Sequence, residues 1–130
     1  MAIVWRWISA SVGLAIHAEQ IREHGGAAGV RDAASFESAM ARAANFAAYE
    51  KEADAAALAA CYAFGIARNH PFVDGNKRSA AVISETFLAL NGFMLETSDA
   101  EMVVAFMALA AGELTEAEMA DWFRQRVVVA

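Results

Sequence analysis

The residues from His70 to Arg78, with the sequence HPFVDGNKR, combine the side chains that are needed to handle a phosphate group. His70 carries an imidazole, which can accept a proton near neutral pH. Asp74 supplies a carboxylate, and Lys77 is followed at once by a second cation. Pro71 is the only proline of the chain, and the motif lies between two long apolar segments that are typical of helices. The spacing therefore predicts a phosphate-handling site at a junction between two helices.

The backbone around Gly75 is the predicted anion cradle. Pro71 disfavours a helical conformation at the residue before it, so His70 is expected at the end of a helix. Gly75 tolerates a positive φ, and a helix that begins there would turn the amides of Gly75, Asn76 and Lys77 towards one anion. These amides predict a phosphate-binding turn.

Four charged or titratable side chains complete the predicted site. The carboxylate of Asp74 can hold a Mg²⁺ that also bridges phosphate oxygens. Lys77 and Arg78 would stabilise the charge on a transferring or leaving phosphate. His70 would take the proton from an attacking hydroxyl. The motif thus favours a group transfer from a nucleotide.

Other candidate residues have simpler interpretations. Arg68 can either contact a phosphate or act only as a cation at a helix C-terminus, and both interpretations remain open. His17 and His24 are seven residues apart, wider than the usual ligand spacing of a zinc site, so we expect surface positions or satisfied core positions for them. The glycine-rich segment 25–29 has no adjoining basic pattern and is predicted to be a turn.

Apolar residues recur at three- and four-residue spacing along most of the chain, which predicts a mainly α fold of about six helices. The predicted helix starts are capping residues, and the predicted ends are glycine or asparagine. The predicted caps are Ser9 or Ser11, Asp32, Asp54, Ser98 with Glu101, and Thr115 with Glu118, and the predicted ends are Gly25-Gly26, Asn69, Asn91-Gly92 and Gly112.

Three segments are predicted to lie outside the helices. Ile3 to Ile8 is expected to form a short strand or an extended arm, and Phe93 to Glu96 a brief extended link. The polar interval from Asn45 to Ala53 has the composition of a loop or hairpin. No internal repeat and no long linker divides the 130 residues, so residues 1–130 are predicted to form one domain.

Composition limits the classes of protein to which the chain can belong. A hydrophobic content of 58% excludes disorder, and the longest apolar runs are well short of the roughly 20 residues of a membrane span. The net charge of −6 argues against direct nucleic-acid binding. The N-terminal sequence lacks the pattern of an export signal, and Cys61 is the only cysteine, so a reducing cytoplasm is expected.

The motif HPFVDGNKR resembles the signature of the Fic/Doc superfamily, whose commoner form ends in Gly-Asn-Gly-Arg, and the variant with Lys77 is similar to that of the death-on-curing (Doc) toxins. The resemblance extends over essentially the whole chain. It includes His24-Gly25-Gly26, Gly29-Val30-Arg31-Asp32, the Ala-rich segment that ends in Arg68-Asn69, and Phe87-Leu88 before Asn91-Gly92. It implies a compact helical Fic/Doc (Fido) domain that moves part of ATP, or of another phosphate-containing donor, onto a hydroxyl of a target protein.

The resemblance also implies a role for each residue of the motif, and it implies that Asn45 to Ala53 is the flap that holds the target segment in extended form. The implied roles are His70 as the base, Asp74 as the metal ligand, Asn76 with the amides around it, Gly75 included, as the anion hole, and Lys77, Arg78 and Arg68 as phosphate contacts.

Lys77 bears on which activity the resemblance implies. Adenylylating relatives have a second glycine at this position, whereas death-on-curing toxins are thought to bind ATP reversed and to pass its γ-phosphate to the elongation factor that delivers aminoacyl-tRNA. Some of those toxins carry an asparagine at the position that aligns with Val82. The self-inhibitory sequence of other relatives has no match here, so restraint by a partner antitoxin is expected.

We therefore expect a toxin of a toxin–antitoxin system that acts as a protein kinase, with Mg²⁺ and ATP, on a Ser or Thr of a translation factor. One alternative is an adenylyltransferase (AMP transfer) on the same fold. The other is a catalytically idle module that only binds an antitoxin or another protein.

Overall fold

The computed structural model describes residues 3–130, so Met1 and Ala2 of the predicted domain lie outside the described residues. Six helices account for most of the described chain, and the mainly α prediction is confirmed. The elements are α1 (Ala10–His24), α2 (Ala33–Tyr49), α3 (Ala55–Asn69), α4 (Asn76–Leu90), β1 (Phe93–Leu95), α5 (Asp99–Ala110), α6 (Glu116–Arg124) and β2 (Val127–Val129).

Side-chain caps begin five of the six helices at predicted positions. Each cap oxygen accepts a hydrogen bond from a backbone amide of the first turn, which satisfies a donor that has no partner inside the helix. The capping residues are Ser9, Asp32, Asp54, Ser98 and Thr115, and the last two form complete capping boxes with Glu101 and Glu118.

Helix α3 is the centre of the fold and is buried on nearly all of its sides, against α2, α4 and α6. A helix that is apolar all round is expected in this position. Gly65 allows a close approach to α2, because a Cβ built on it would lie 3.0 Å from Cα of Ala39. This packing fixes the orientation of α3 and therefore the position of its C-terminal end, where the motif begins.

Cys61 lies inside this core as a free cysteine. Burial raises the pKa of its thiol to about 12, so the thiol stays protonated and acts as a small apolar group.

The predicted loop from Asn45 to Ala53 is wrong over its first half, because α2 continues to Tyr49. Ala43 is fully buried and Ala47 packs on the core, whereas Asn45 and Tyr49 face solvent. The polar residues thus lie on the outer face of a helix that no glycine or proline interrupts. Residues 45–49 therefore do not form the first half of the implied flap, and only residues 50–53 of that segment lie outside α2.

The predicted extended link after α4 is confirmed as β1, which pairs in antiparallel register with β2, with Phe93 opposite Val129. β2 was not predicted. The N-terminal arm is extended without strand pairing, and the backbone N–H of Ile8 donates to the hydroxyl of Tyr62 at 3.0 Å. Trp7 stacks on Phe87 with 5.9 Å between ring centroids. No helix of residues 3–130 combines the length and the apolar character that crossing a bilayer requires.

Candidate active site

A cleft of about 380 Å³ lies between the end of α3 and the start of α4. Its lining contains every predicted site residue except Arg68. The lining residues are His70, Val73, Asp74, Gly75, Asn76, Lys77 and Arg78.

His70 ends α3 in the left-handed conformation, with φ 48° and ψ 57°. Its backbone N–H still donates to the carbonyl of Ile66 at 3.2 Å, while its side chain is exposed in the cleft. Among residues 3–130, His70 is the only residue other than glycine with a positive φ. A strained backbone at a polar cleft is typical of a functional position. Pro71 ends α3 here, as predicted, but a following proline favours an extended residue, so it does not explain the left-handed conformation.

Arg31, which is 39 residues away in the sequence, stabilises this strained turn through side-chain hydrogen bonds. Its Nε and Nη2 donate to the carbonyl oxygen of His70 at 2.8 and 2.5 Å, and Nη2 also reaches the carbonyl of Asn69 at 2.9 Å. The backbone beside Arg31 pairs with the motif as well, since Val30 and Phe72 form an antiparallel bridge. The extended segment that lies along the motif is therefore 29–31, and not the predicted flap.

Phe72 anchors the motif in the core, with 1% of its surface exposed. Asn76 closes the turn around it, because its side-chain oxygen accepts from the Phe72 amide and its side-chain nitrogen donates to the Phe72 carbonyl, both at 3.0 Å. The side chain of Asn76 therefore shapes the loop, and its backbone N–H is left for other partners.

The start of α4 presents amides to the cleft. Gly75 is the N-cap, with φ 74° as predicted, and its own N–H donates to Oδ1 of Asp74 at 2.8 Å. The amides of Asn76, Lys77 and Arg78 have no acceptor within residues 3–130, because the first backbone bond of the helix runs from Ser79 to Gly75. The available cradle is thus one residue further along the chain than predicted.

The carboxylate of Asp74 is exposed, and it accepts hydrogen bonds from the amides of Gly75 and, at 3.3 Å, Ala27. These bonds, the one from Gly75 above all, lower the pKa of Asp74. Glycine suits position 26 beside it, since φ is 116° and a Cβ there would come within 2.6 Å of Oδ2. Asp74 is therefore ionised and held in place at the mouth of the cleft.

A single carboxylate of this kind fits Mg²⁺, which commonly binds one or two carboxylates together with waters and substrate phosphates. Within residues 3–130, no three His, Cys, Asp or Glu side chains gather in a way that could hold a metal by themselves. The donor set thus suits a metal that arrives with a nucleotide.

Arg78 and Lys77 supply positive charge. Nη2 of Arg78 donates to the carbonyl of Gly25 at 3.0 Å, while its Nε is buried without an acceptor in the described chain. An orphaned buried donor of this kind is uncommon, and a guanidinium in a cleft lining is a strong partner for an anion. Lys77 is exposed and has no carboxylate partner among residues 3–130.

Arg68 lies outside the cleft lining. Its guanidinium stacks over the ring of Phe64 at 5.4 Å and lies beside Gly112, in the turn after α5. The structure thus does not bring Arg68 together with the motif, and its contact with a phosphate stays a prediction.

The structure separates the two histidines of α1. His17 is buried and stacks face to face on Phe72, whereas His24 is half exposed at the helix end. The expectation of a satisfied core position is confirmed for His17. Its contact with the motif, like that of Arg31, was not predicted, because 57 and 39 residues separate the partners and no local pattern records such contacts.

The chain is similar to known proteins over most of its length. The sequence profile of the Fic/DOC family matches residues 7–88, which include α1 to α3, the whole motif and all but the last two residues of α4. A curated relative, "Protein kinase doc" of Escherichia phage P1, is 32% identical over 120 residues, which cover 92% of this chain and 94% of the relative. On both grounds, the chain belongs to the Fic/DOC family.

Proposed function

We propose that this protein is a Doc-like kinase that transfers the γ-phosphate of ATP to a Ser or Thr hydroxyl of a target protein. The observation that carries the proposal is one cleft that holds a candidate base, His70, three amides without acceptors, and the side chains of Lys77 and Arg78. Phosphoryl transfer depends mainly on positioning and on electrostatic stabilisation, and this set supplies both. The similarity to a relative named as a protein kinase supports the same reaction.

The proposed step conserves atoms and charge. The hydroxyl oxygen of the target forms a bond to the γ-phosphorus as the bond from that phosphorus to the β,γ-bridging oxygen breaks, and ADP leaves. His70 takes the hydroxyl proton. The amides of Asn76, Lys77 and Arg78 bind the oxygens of the transferring phosphoryl group. These oxygens are negatively charged, and the N-terminus of a helix favours negative charge. Asp74 would hold Mg²⁺, which supplies charge neutralisation on the phosphates.

Lys77 favours phosphate transfer over AMP transfer. It lies in the first turn of α4, at the position where adenylylating relatives of the Fic/Doc superfamily have glycine, and it lines the cleft. A flexible cation there would stabilise charge on a terminal phosphate, whereas a glycine leaves space for the inner phosphates. AMP transfer is the competing outcome.

We further propose that the protein acts as a toxin on a translation elongation factor in the cytoplasm, and that an antitoxin protein restrains it. The exposed segment 25–31 lies beside His70 and includes the backbone that pairs with the motif, so an extended target segment could align along it. This placement replaces the flap that was expected at Asn45 to Ala53.

Purified protein should be incubated with purified elongation factor, and separately with a bacterial lysate, in the presence of ATP labelled at either the α- or the γ-phosphate. Label from the γ-position on one protein band, and none from the α-position, is the expected result. His70→Ala is the inactive control. If neither label is transferred while calorimetry still shows ATP binding, the protein is a binding module and not a kinase.

A further inference from the structure

His17 makes two close contacts with the motif. Its ring lies flat on that of Phe72, with 3.7 Å between the centroids and 4° between the planes. Its Nε2 is 2.8 Å from the carbonyl oxygen of Asp74. Only 4% of the residue is exposed, so neither contact competes strongly with solvent.

The chemistry of the pair fixes the donor. A carbonyl oxygen only accepts, so Nε2 of His17 must carry the hydrogen, and a neutral imidazole is sufficient. Nε2 also lies 3.7 Å from the position that a Cβ on Gly75 would take. The imidazole therefore abuts the peptide that joins Asp74 to Gly75.

This peptide links His17 to the carboxylate of Asp74. The Asp74 carbonyl and the Gly75 N–H belong to one planar unit, so fixing the direction of the oxygen also fixes that of the N–H. The same N–H donates to Oδ1 of Asp74 at 2.8 Å. Two hydrogen bonds in series thus run from a buried ring in α1 to the candidate metal ligand.

We propose that His17 is a positioning residue, which orients the peptide between Asp74 and Gly75 and thereby sets both the carboxylate of Asp74 and the start of the amide cradle. The inference rests on the proposed function for its effect on transfer, but its effect on the loop can be measured without transfer. The stacking of His17 on Phe72 is by itself ordinary core packing. The hydrogen bond from its Nε2–H to the Asp74 carbonyl is the contact that orients the peptide.

The variants separate the donor from the ring. His17→Phe keeps a flat ring for Phe72 and removes the N–H, whereas His17→Gln places an amide N–H near the position of Nε2. His17→Leu is a second variant without a donor, in case the first does not fold. His24→Gln, on the same helix but half exposed, is the matched control.

Two readouts are needed. NMR order parameters of the Gly75 and Asn76 amides should fall from about 0.85, the value of a rigid backbone, to below about 0.6 in His17→Phe, and should stay high in His17→Gln and His24→Gln. The kcat of His17→Phe should fall by roughly 10- to 100-fold, with more Mg²⁺ needed for half-maximal rate, since a small misplacement of reacting groups is costly. Thermal unfolding should show that the variants are folded.

A folded variant without a donor that keeps both the rigid amides and the wild-type kcat would overturn the proposal. A His17→Gln variant that is folded and yet as mobile and slow as His17→Phe would overturn it as well, because the ring and not the N–H would then matter. If the unmutated protein transfers no phosphate, the proposed function fails, and the order parameters still decide the role of His17.

Discussion

Arg31 donates two hydrogen bonds to the carbonyl oxygen of His70, from Nε at 2.8 Å and from Nη2 at 2.5 Å, although the two residues are 39 positions apart. The carbonyl belongs to a residue in the left-handed conformation, at the place where α3 ends. Carbonyls at a helix C-terminus lack partners inside the helix and carry partial negative charge. Arg31 therefore stabilises the turn that presents the candidate base.

Arg31→Lys should weaken this clamp, because an ammonium cannot reproduce the planar fork of a guanidinium. We expect the kcat of transfer to fall by about tenfold or more, since His70 would lose its fixed position. Arg22→Lys is the control, as Arg22 is exposed and its ion pair is with Glu19 of the same helix. Steady-state kinetics of both variants would test the clamp, and equal rates would argue against it.

His70→Ala should lose transfer by roughly 10²- to 10⁴-fold while the fold is kept, because the exposed imidazole contributes a proton acceptor and no core volume. His70→Gly should be equally inactive but more stable than His70→Ala by about 1 kcal/mol, since glycine adopts the left-handed conformation without a steric penalty. Chemical denaturation gives the stability difference. An alanine variant with wild-type activity would remove His70 from the mechanism.

Asp74→Asn should weaken ATP binding in Mg²⁺ and change it little in EDTA. The one amide oxygen of asparagine can still accept from Gly75, whose hydrogen bond is the shorter of the two, while the long bond from Ala27 and the negative charge are lost. Calorimetry under both conditions measures the effect. Since the pKa of Asp74 is lowered in the folded protein, Mg²⁺-dependent binding by the carboxylate should persist to a pH below the usual range of an aspartate. Equal losses of ATP affinity with and without Mg²⁺ would indicate that Asp74 only stabilises the start of α4 and does not hold the metal.

Asp54 offers a test of stability away from the cleft. It caps α3 and accepts two hydrogen bonds from Arg124 of α6, which are the main cause of its lowered pKa. Asp54→Ala should cost about 1–2 kcal/mol through loss of the cap. Asp54→Asn should cost less than about 1 kcal/mol, because both partners of the ion pair are half exposed.

The pH dependence of this contribution has a definite sign. Since the folded-state pKa of Asp54 lies below its unfolded value, the stabilisation is complete above the unfolded value and is lost as the pH falls through the folded one. The difference in unfolding free energy between wild type and Asp54→Asn should therefore shrink in acid. A difference that grows in acid would contradict the assigned role of the ion pair.

Much of the helical framework could be predicted from the sequence because its boundaries are local. A cap such as Asp54 bonds an amide three residues away, and Gly75 needs only its own φ. The prediction of a loop from Asn45 to Tyr49 was wrong because polar residues indicate only exposure to solvent. The exposed face of a helix has the same composition as a loop. β2 was missed because it is only three residues long and pairs with a strand more than thirty positions away.

The candidate site was predicted as a set of residue types but not as a set of contacts. The motif placed His70, Asp74 and Lys77 in one cleft, since they are close in sequence. Arg31 and His17, in contrast, reach the motif only through the packing of α1 and α2 against α3 and α4. Nothing in the local pattern distinguishes them from an ordinary surface arginine and an ordinary core histidine.

The central claim is that the γ-phosphate moves, and the mass added to a modified target protein tests it most directly. Mass spectrometry of the elongation factor, after incubation with the unmutated protein, Mg²⁺ and ATP, should find a single phosphate on a Ser or Thr. Lys77→Gly should lower this modification, because it removes the cation from the cleft. An AMP adduct made by the unmutated protein would contradict the account and would establish adenylyl transfer instead.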